Sequence, residues 1–174
     1  GGSIMMGNSG TGSIAIGSSA MNNASGPPDG YYSLDTRPYS IAIGSYAMAN
    51  GSSGSISTSS VAIGYKNINY QGNNTVAIGY SNCNGGGTNY DVCIGSNSGH
   101  VKSFSVAIGM NAASITSGNY AVAIGKKALS VASGAYATAI GYYSCGSSTG
   151  LTVDYIVSIG SYAGYANSKR GSVL

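Results

Sequence analysis

Ser60-Val61-Ala62-Ile63-Gly64 is a pentapeptide that returns, with small changes, about ten times along this chain of 174 residues. Its closing glycines are 14 to 16 residues apart in the central stretch, 61–146, and less regularly spaced towards both ends. Repetition at a near-constant period indicates units that stack on their neighbours rather than fold alone. The repeat therefore predicts one solenoid domain over 1–174, which we interpret as a fragment of a longer chain.

Branched aliphatic residues stand one and three positions before each closing glycine, as Ile63 and Val61 do before Gly64. Residues two apart on a strand point to the same face, so these two columns are predicted to form the core. The position between them is nearly always alanine. A constant small residue predicts close packing against another chain or layer, with a merely flat outer face as the alternative. The residues predicted to pack in an oligomer are Ala15, Ala42, Ala62, Ala77, Ala107, Ala123 and Ala139.

The closing glycine is expected to adopt positive φ in a tight turn that leaves the strand. Two short strands and two turns fit the 14 to 16 residues of one repeat. Strands from successive repeats would then stack about 4.8 Å apart. The predicted fold class is therefore all-β, a parallel β-roll of about ten short coils. Because two aliphatic residues per coil make a thin core, association into an oligomer is also expected.

Composition excludes several classes of function. Only 6% of the residues are charged, and the net charge of +3 is spread without a basic run, so nucleic-acid binding is not expected. No apolar stretch approaches the roughly 18 residues that cross a bilayer, so no membrane insertion is predicted for this segment. Cys83, Cys93 and Cys145 form no C-x-x-C pair and have no nearby histidine, so neither a metal site nor a cofactor is predicted. Buried thiols and a disulfide both remain open for these cysteines.

The sequence offers no catalytic residue. A serine nucleophile needs a histidine as base and a carboxylate that orients the histidine. His100 is the sole histidine, and no carboxylate lies near it in sequence. The left-handed β-helices of the hexapeptide acyltransferases share an Ile-Gly-x-x-Ala pattern, but they repeat every six residues and need a catalytic histidine. The spacing here is not a multiple of six. A non-enzymatic protein is therefore predicted, with an acyltransferase as the disfavoured alternative.

Binding is expected in the loops and at a row of tyrosines. The largest insertion, 21–39, and other loops contain several aromatic residues, and loops on a repetitive scaffold commonly carry binding. Further tyrosines recur just after the closing glycine, where they would align along one edge of the roll. Such a row could simply stack on itself, or it could offer an amphipathic strip to sugars or proteins. The candidate binding residues are Tyr31, Tyr32, Arg37, Tyr39, Tyr46, Tyr65, Tyr80, Tyr90, Tyr142, Tyr143 and Tyr162.

Ser60–Gly64, its copy Ser105–Gly109 and continuations such as Gly125–Gly134 resemble the head repeat of trimeric autotransporter adhesins, the YadA-like head family. The resemblance implies a left-handed parallel β-roll assembled as a homotrimer. It also implies attachment of a cell to a host or surface protein, a matrix or a glycan, from an extracellular, outer-membrane-anchored position. Related repeats occur in phage and viral fibres, so a receptor-binding segment of a virion or tail fibre is the alternative function.

Overall fold

The computed structural model describes nine stretches of the chain, one for each of nine repeats. They are 12–21, 38–49, 58–68, 72–83, 88–99, 104–116, 119–132, 135–146 and 154–165. Nine strands of three to five residues form the main sheet: β1 Ile14–Ile16, β2 Ile41–Ile43, β3 Val61–Tyr65, β5 Val76–Tyr80, β7 Val92–Ser96, β8 Val106–Ile108, β10 Val122–Ile124, β12 Thr138–Ile140 and β13 Val157–Ile159. Four two-residue strands form two small sheets: β4 Gly72–Asn73, β6 Thr88–Asn89, β9 Ile115–Thr116 and β11 Val131–Ala132.

All pairs in the main sheet are parallel, and the strands follow one another in chain order. Equivalent residues of successive repeats are paired, as Ala62 is with Ala77 and Ile63 with Ile78. The predicted all-β, parallel solenoid is therefore confirmed. About ten coils were predicted, and the described residues contribute nine strands to the main sheet. The predicted copy that ends at Gly7 lies outside the described residues.

Small side chains, not the branched aliphatic ones, point into the lumen of the roll. Ala62, Ala107 and their equivalents after the first described repeat have no exposed surface, whereas Ile78 is 37% exposed and Ile159 is 59% exposed. The prediction that the Val and Ile columns form the core was therefore wrong. Alternation showed correctly that the two columns share a face, but the lumen has room at these strands only for alanine, cysteine or serine. Larger residues fill it from the turn four positions after the glycine: Met48, Ile68 and Leu129 are fully buried there.

The closing glycines have φ between 117° and 134° in all nine described repeats. The predicted positive φ is thus confirmed, and the stacking of coils adds a second requirement for glycine. A Cβ on Gly109 would lie 2.6 Å from the carbonyl oxygen of Gly125 in the next coil. Because that contact is with backbone, no side-chain movement relieves it. Glycine at this position therefore allows the strands of successive coils to approach each other.

A column of buried acceptors ties the coils together immediately before the strands. The backbone N–H of Thr75 donates to Ser60 Oγ at 3.1 Å, and that of Ala121 donates to Ser105 Oγ at the same distance. At Asp91 a carboxyl takes the place of the hydroxyl: Oδ1 accepts the N–H of Ser105 at 2.7 Å, while the buried Oδ2 has no hydrogen-bond partner. Burial raises the pKa of Asp91 to about 7, although the hydrogen bond from Ser105 opposes the shift.

Two of the cysteines form a disulfide inside the roll. Cys83, in the turn after β5, is bonded to Cys93 of β7, and their Cα atoms are 5.9 Å apart. Cys145 is a buried free thiol, and burial raises its pKa. The structure thus contains both of the states that the sequence left open. The disulfide joins successive coils. Cys93 is at the strand position that is alanine in most repeats, and Cys83 is at the turn position that holds a larger residue such as Leu129.

Candidate functional site

One face of the main sheet is a continuous apolar surface, which we call the apolar face. It consists of the two columns of outward-pointing residues, one and three positions before each closing glycine. In the nine strands these positions hold Val or Ile, except for Thr138. These side chains are half-buried or exposed, and none is charged. At about 4.8 Å per strand, the face is roughly 40 Å long. Monomeric proteins rarely expose an apolar patch of this extent, so the apolar face is a candidate protein interface.

The alanines predicted to pack against another chain do not lie on this face. Their side chains point into the lumen, and all but the first are completely buried by the chain itself. A residue with no accessible surface cannot contact a second chain, so this prediction was wrong. The residues concerned are Ala15, which is partly buried at the end of the described stack, and Ala42, Ala62, Ala77, Ala107, Ala123 and Ala139.

The tyrosines that follow the closing glycine do meet along one edge, but in two groups rather than one row. Tyr65 and Tyr80 are stacked with ring centroids 5.3 Å apart, and Tyr46 meets Tyr65 edge-on. In the second group, Tyr143 and Tyr162 are stacked at 5.4 Å. Intervening repeats place serine, asparagine, methionine or lysine at the equivalent positions, which separates the groups.

Lysines lie over the rings of this edge. The Nζ of Lys66 is 5.5 Å from the ring centroid of Tyr65, and the Nζ of Lys127 is 4.8 Å from that of Tyr143. Lys127 also donates a hydrogen bond of 2.6 Å to the Tyr143 hydroxyl, which raises the pKa of the lysine. The edge is therefore an exposed surface of phenols and ammonium groups, able to contact polar or anionic partners.

A second row of aromatic rings was missed from the sequence. It lies five positions before the closing glycine and is called here the pre-strand ladder: Tyr90, Phe104, Tyr120, Tyr136 and Tyr155. Successive centroids are 5.0 to 5.2 Å apart and successive planes are within 11° of parallel. Tyr39 occupies the same position in its own repeat. Counting back from each closing glycine finds this column in the sequence.

Residues in this column have left-handed backbone conformation, with φ of 58° to 62° at its six aromatic members. Such φ values are uncommon for bulky residues. Hydrogen bonds to the preceding coil hold them: the N–H of Phe104 donates to the carbonyl of Asn89 at 2.9 Å, and that of Tyr136 donates to the carbonyl of Asn119 at 3.1 Å. The regular backbone explains why the rings are in register.

The other candidate residues are not brought into any site that the structure describes. Tyr31, Tyr32 and Arg37, and also His100, lie outside the described residues. Within the nine described stretches, no three His, Cys, Asp or Glu residues are grouped so that they could hold a metal ion. The same stretches contain no helix of the length and apolar character needed to cross a membrane.

Comparison with known families finds the YadA head domain repeat in two copies, at residues 9–21 and 129–144. The first copy includes β1, and the second includes β12 with the closing glycine that follows it. No curated protein matches the chain, and neither does any solved structure. The resemblance noted from the pentapeptides is thus supported by a family match and by a parallel solenoid whose strands coincide with the repeats. Residues 9–21 and 129–144 are thus similar to head repeats of the YadA type.

Proposed function

We propose that this chain is a segment of a trimeric, surface-exposed adhesive fibre, in which three rolls bury their apolar faces against one another. The observation that carries the proposal is the apolar face itself. Two columns of branched aliphatic residues run along nine strands without a charge, on the outside of a roll whose lumen is already filled. A face of this kind is stable in water when a partner covers it.

Self-association is the favoured way to cover the face. Stable interfaces bury roughly 800 Å² per partner, and a strip roughly 40 Å long is of the size that this requires. The strip repeats the same two positions in every coil, so copies of the same chain present similar surfaces. YadA head domains form trimers in general, which favours three chains around an axis over two.

With the apolar faces at the axis, the aromatic edges remain as the surfaces that can contact a partner. The Tyr–Lys edge after the glycines and the pre-strand ladder contain exposed phenols, which suit host or surface proteins and glycans. A disulfide is typical of proteins outside the reducing cytosol, which supports an extracellular location. The proposed role is attachment without catalysis.

Retention of protein-coated beads on matrix proteins, cells and glycan arrays tests the adhesive role. We expect Tyr65→Ala/Tyr80→Ala or Tyr143→Ala/Tyr162→Ala to reduce retention while the mass of the assembly stays unchanged. Met110→Ala is the matched control, because Met110 is an exposed residue at the same turn outside both groups. Retention at wild-type level in both tyrosine variants and in their combination would show that this edge does not contribute to adhesion.

Assembly should matter for adhesion through avidity. A trimer offers three copies of each edge, so weak contacts act together on a surface. Ile108→Asp places a charge on the apolar face and is expected to reduce both the mass of the assembly and the retention of beads. Undiminished retention by a variant shown to be monomeric would contradict the trimeric form of the proposal.

A further inference from the structure

We propose that the pre-strand ladder is a site of oxidative cross-linking, at which Tyr136 becomes joined to Tyr120 or to Tyr155 through a carbon–carbon bond. The oxidant would be a one-electron oxidant of phenols, such as a haem peroxidase supplied with hydrogen peroxide. The product is a dityrosine bridge between successive coils of one chain. This inference does not depend on adhesion or on trimer formation.

The geometry of the three rings brings their reactive carbons close together. Tyr120 and Tyr136 have centroids 5.0 Å apart with planes at 6°, and Tyr136 and Tyr155 have the same separation with planes at 2°. All three residues have φ of 58° or 59°, so their Cα–Cβ bonds point the same way. Near-parallel rings at this separation place each phenol next to the phenol of the adjacent coil. Coupling through the ortho carbons then requires a change in the side-chain torsions of two adjacent residues.

The rings are also open to an oxidant. Tyr120, Tyr136 and Tyr155 are 46%, 50% and 63% exposed. The backbone beneath them is fixed, because the N–H groups of Tyr136 and Tyr155 each donate a hydrogen bond of 3.1 Å to the preceding coil. Neighbouring phenols are thus held at short range while their edges face solvent, which gives a high effective concentration for coupling.

The chemical step is balanced by the peroxide. Each of two phenols gives one electron and one proton to the oxidant, which leaves two tyrosyl radicals. The radicals combine through their ortho carbons, and the hydrogen on each of those carbons then moves to the oxygen, which restores both phenols. One hydrogen peroxide accepts the two electrons and two protons and becomes two molecules of water. The bridged protein is lighter than its precursor by two hydrogen atoms.

Two features favour this part of the ladder over the other tyrosine pairs. Phe104 has no hydroxyl and forms no tyrosyl radical, so its ring separates Tyr90 from Tyr120. At the other edge, cations lie over the rings of Tyr65 and Tyr143, and a positive charge disfavours the loss of an electron. No such cation–ring contact is found at the ladder among the described residues. Coupling is therefore expected first among Tyr120, Tyr136 and Tyr155.

The test is to treat the whole chain with peroxidase and limiting hydrogen peroxide, and to map the linked peptides by mass spectrometry alongside dityrosine fluorescence. We expect the earliest links to join Tyr136 to Tyr120 or Tyr155 within one chain, with a yield independent of protein concentration. Tyr136→Phe keeps the stacked ring but removes the central phenol, so it should lose most of the fluorescence. Phe104→Tyr fills the gap in the ladder and should bring Tyr90 into the links.

Three outcomes would overturn the proposal. Links spread evenly over all tyrosines would show that the ladder confers no preference. Fluorescence unchanged in Tyr136→Phe would place the bridge elsewhere. Early links chiefly between chains, rising with protein concentration, would show that stacking within the roll is not what directs the coupling. Circular dichroism of Tyr136→Phe before oxidation identifies any loss of the fold, and the Phe104→Tyr gain of links provides a test that does not rely on a loss.

Discussion

The buried carboxyl of Asp91 is expected to make the stability of the roll depend on pH, and removing its charge should remove this contribution. Asp91 occupies a position where neighbouring coils have Ser60, Thr75 and Ser105. Its Oδ1 accepts the N–H of Ser105, but its buried Oδ2 has no hydrogen-bond partner. Asp91→Asn keeps an oxygen acceptor for Ser105 and cannot ionise, so it isolates the effect of charge.

The size and sign of the effect follow from the pKa of Asp91. Burial raises it from 3.8 to about 7, a shift of roughly three units, which at about 1.4 kcal/mol per unit corresponds to at most about 4 kcal/mol. Between these two pH values the folded chain keeps the proton that the unfolded chain has released. This group therefore stabilises the fold fully below about pH 4, and its contribution is lost as the pH rises to about 7.

The assay is chemical denaturation of the wild type and the variant from pH 4 to pH 8. We expect similar free energies of unfolding at pH 4, and an advantage for Asp91→Asn that grows to a few kcal/mol by pH 8. Asp91→Ala is the matched control for the lost acceptor: it should be less stable than Asp91→Asn at every pH, by about 1 to 3 kcal/mol. A wild type and an Asp91→Asn variant that differ by a constant amount across the range would refute the reasoning.

Three other substitutions or treatments test how the coils pack. Ala123→Leu forces a large side chain into the filled lumen and should destabilise the fold by about 1 to 3 kcal/mol or more in denaturant unfolding. Gly109→Ala places a Cβ against the carbonyl of the next coil at an unfavourable φ and should cost on the order of 3 kcal/mol, seen as a lower thermal midpoint. Reduction of the Cys83–Cys93 disulfide should remove roughly 2 to 4 kcal/mol, and a double serine variant should no longer respond to reductant. Wild-type stability in any of these tests would contradict the stabilising role given to the corresponding contact.

Much of the architecture could be predicted from the repeat alone. The Ser-Val-Ala-Ile-Gly pattern gave the strands, their parallel register and the positive φ of the glycines, because each of these depends on local backbone geometry and on repetition. The repeat pattern did not show which face of the sheet points into the lumen. Val61 and Ile63 share a face in either arrangement, and whether that face encloses the lumen depends on the width of the coil, which is a property of the whole turn.

Prediction of the candidate sites was limited by the same non-local geometry. The tyrosines after the glycine were expected to align, and Tyr65 and Tyr80 do stack. The ladder that contains Tyr120 and Tyr136 was missed for a different reason: its members share a position five residues before each closing glycine, and that position was not compared between repeats. Cys83 and Cys93 are close because one lies in a turn and the other in a strand of the next coil.

The mass of the assembly in solution tests most directly whether the apolar face is a trimer interface. Light scattering on the purified chain, over a range of concentrations, should give three times the chain mass of 17.2 kDa. Ile78→Asp/Ile108→Asp, with two charges on the apolar face, should give 17.2 kDa with the solenoid fold retained. A wild-type mass of 17.2 kDa at every concentration, or a trimer that persists in the double aspartate variant, would contradict the assignment of this face.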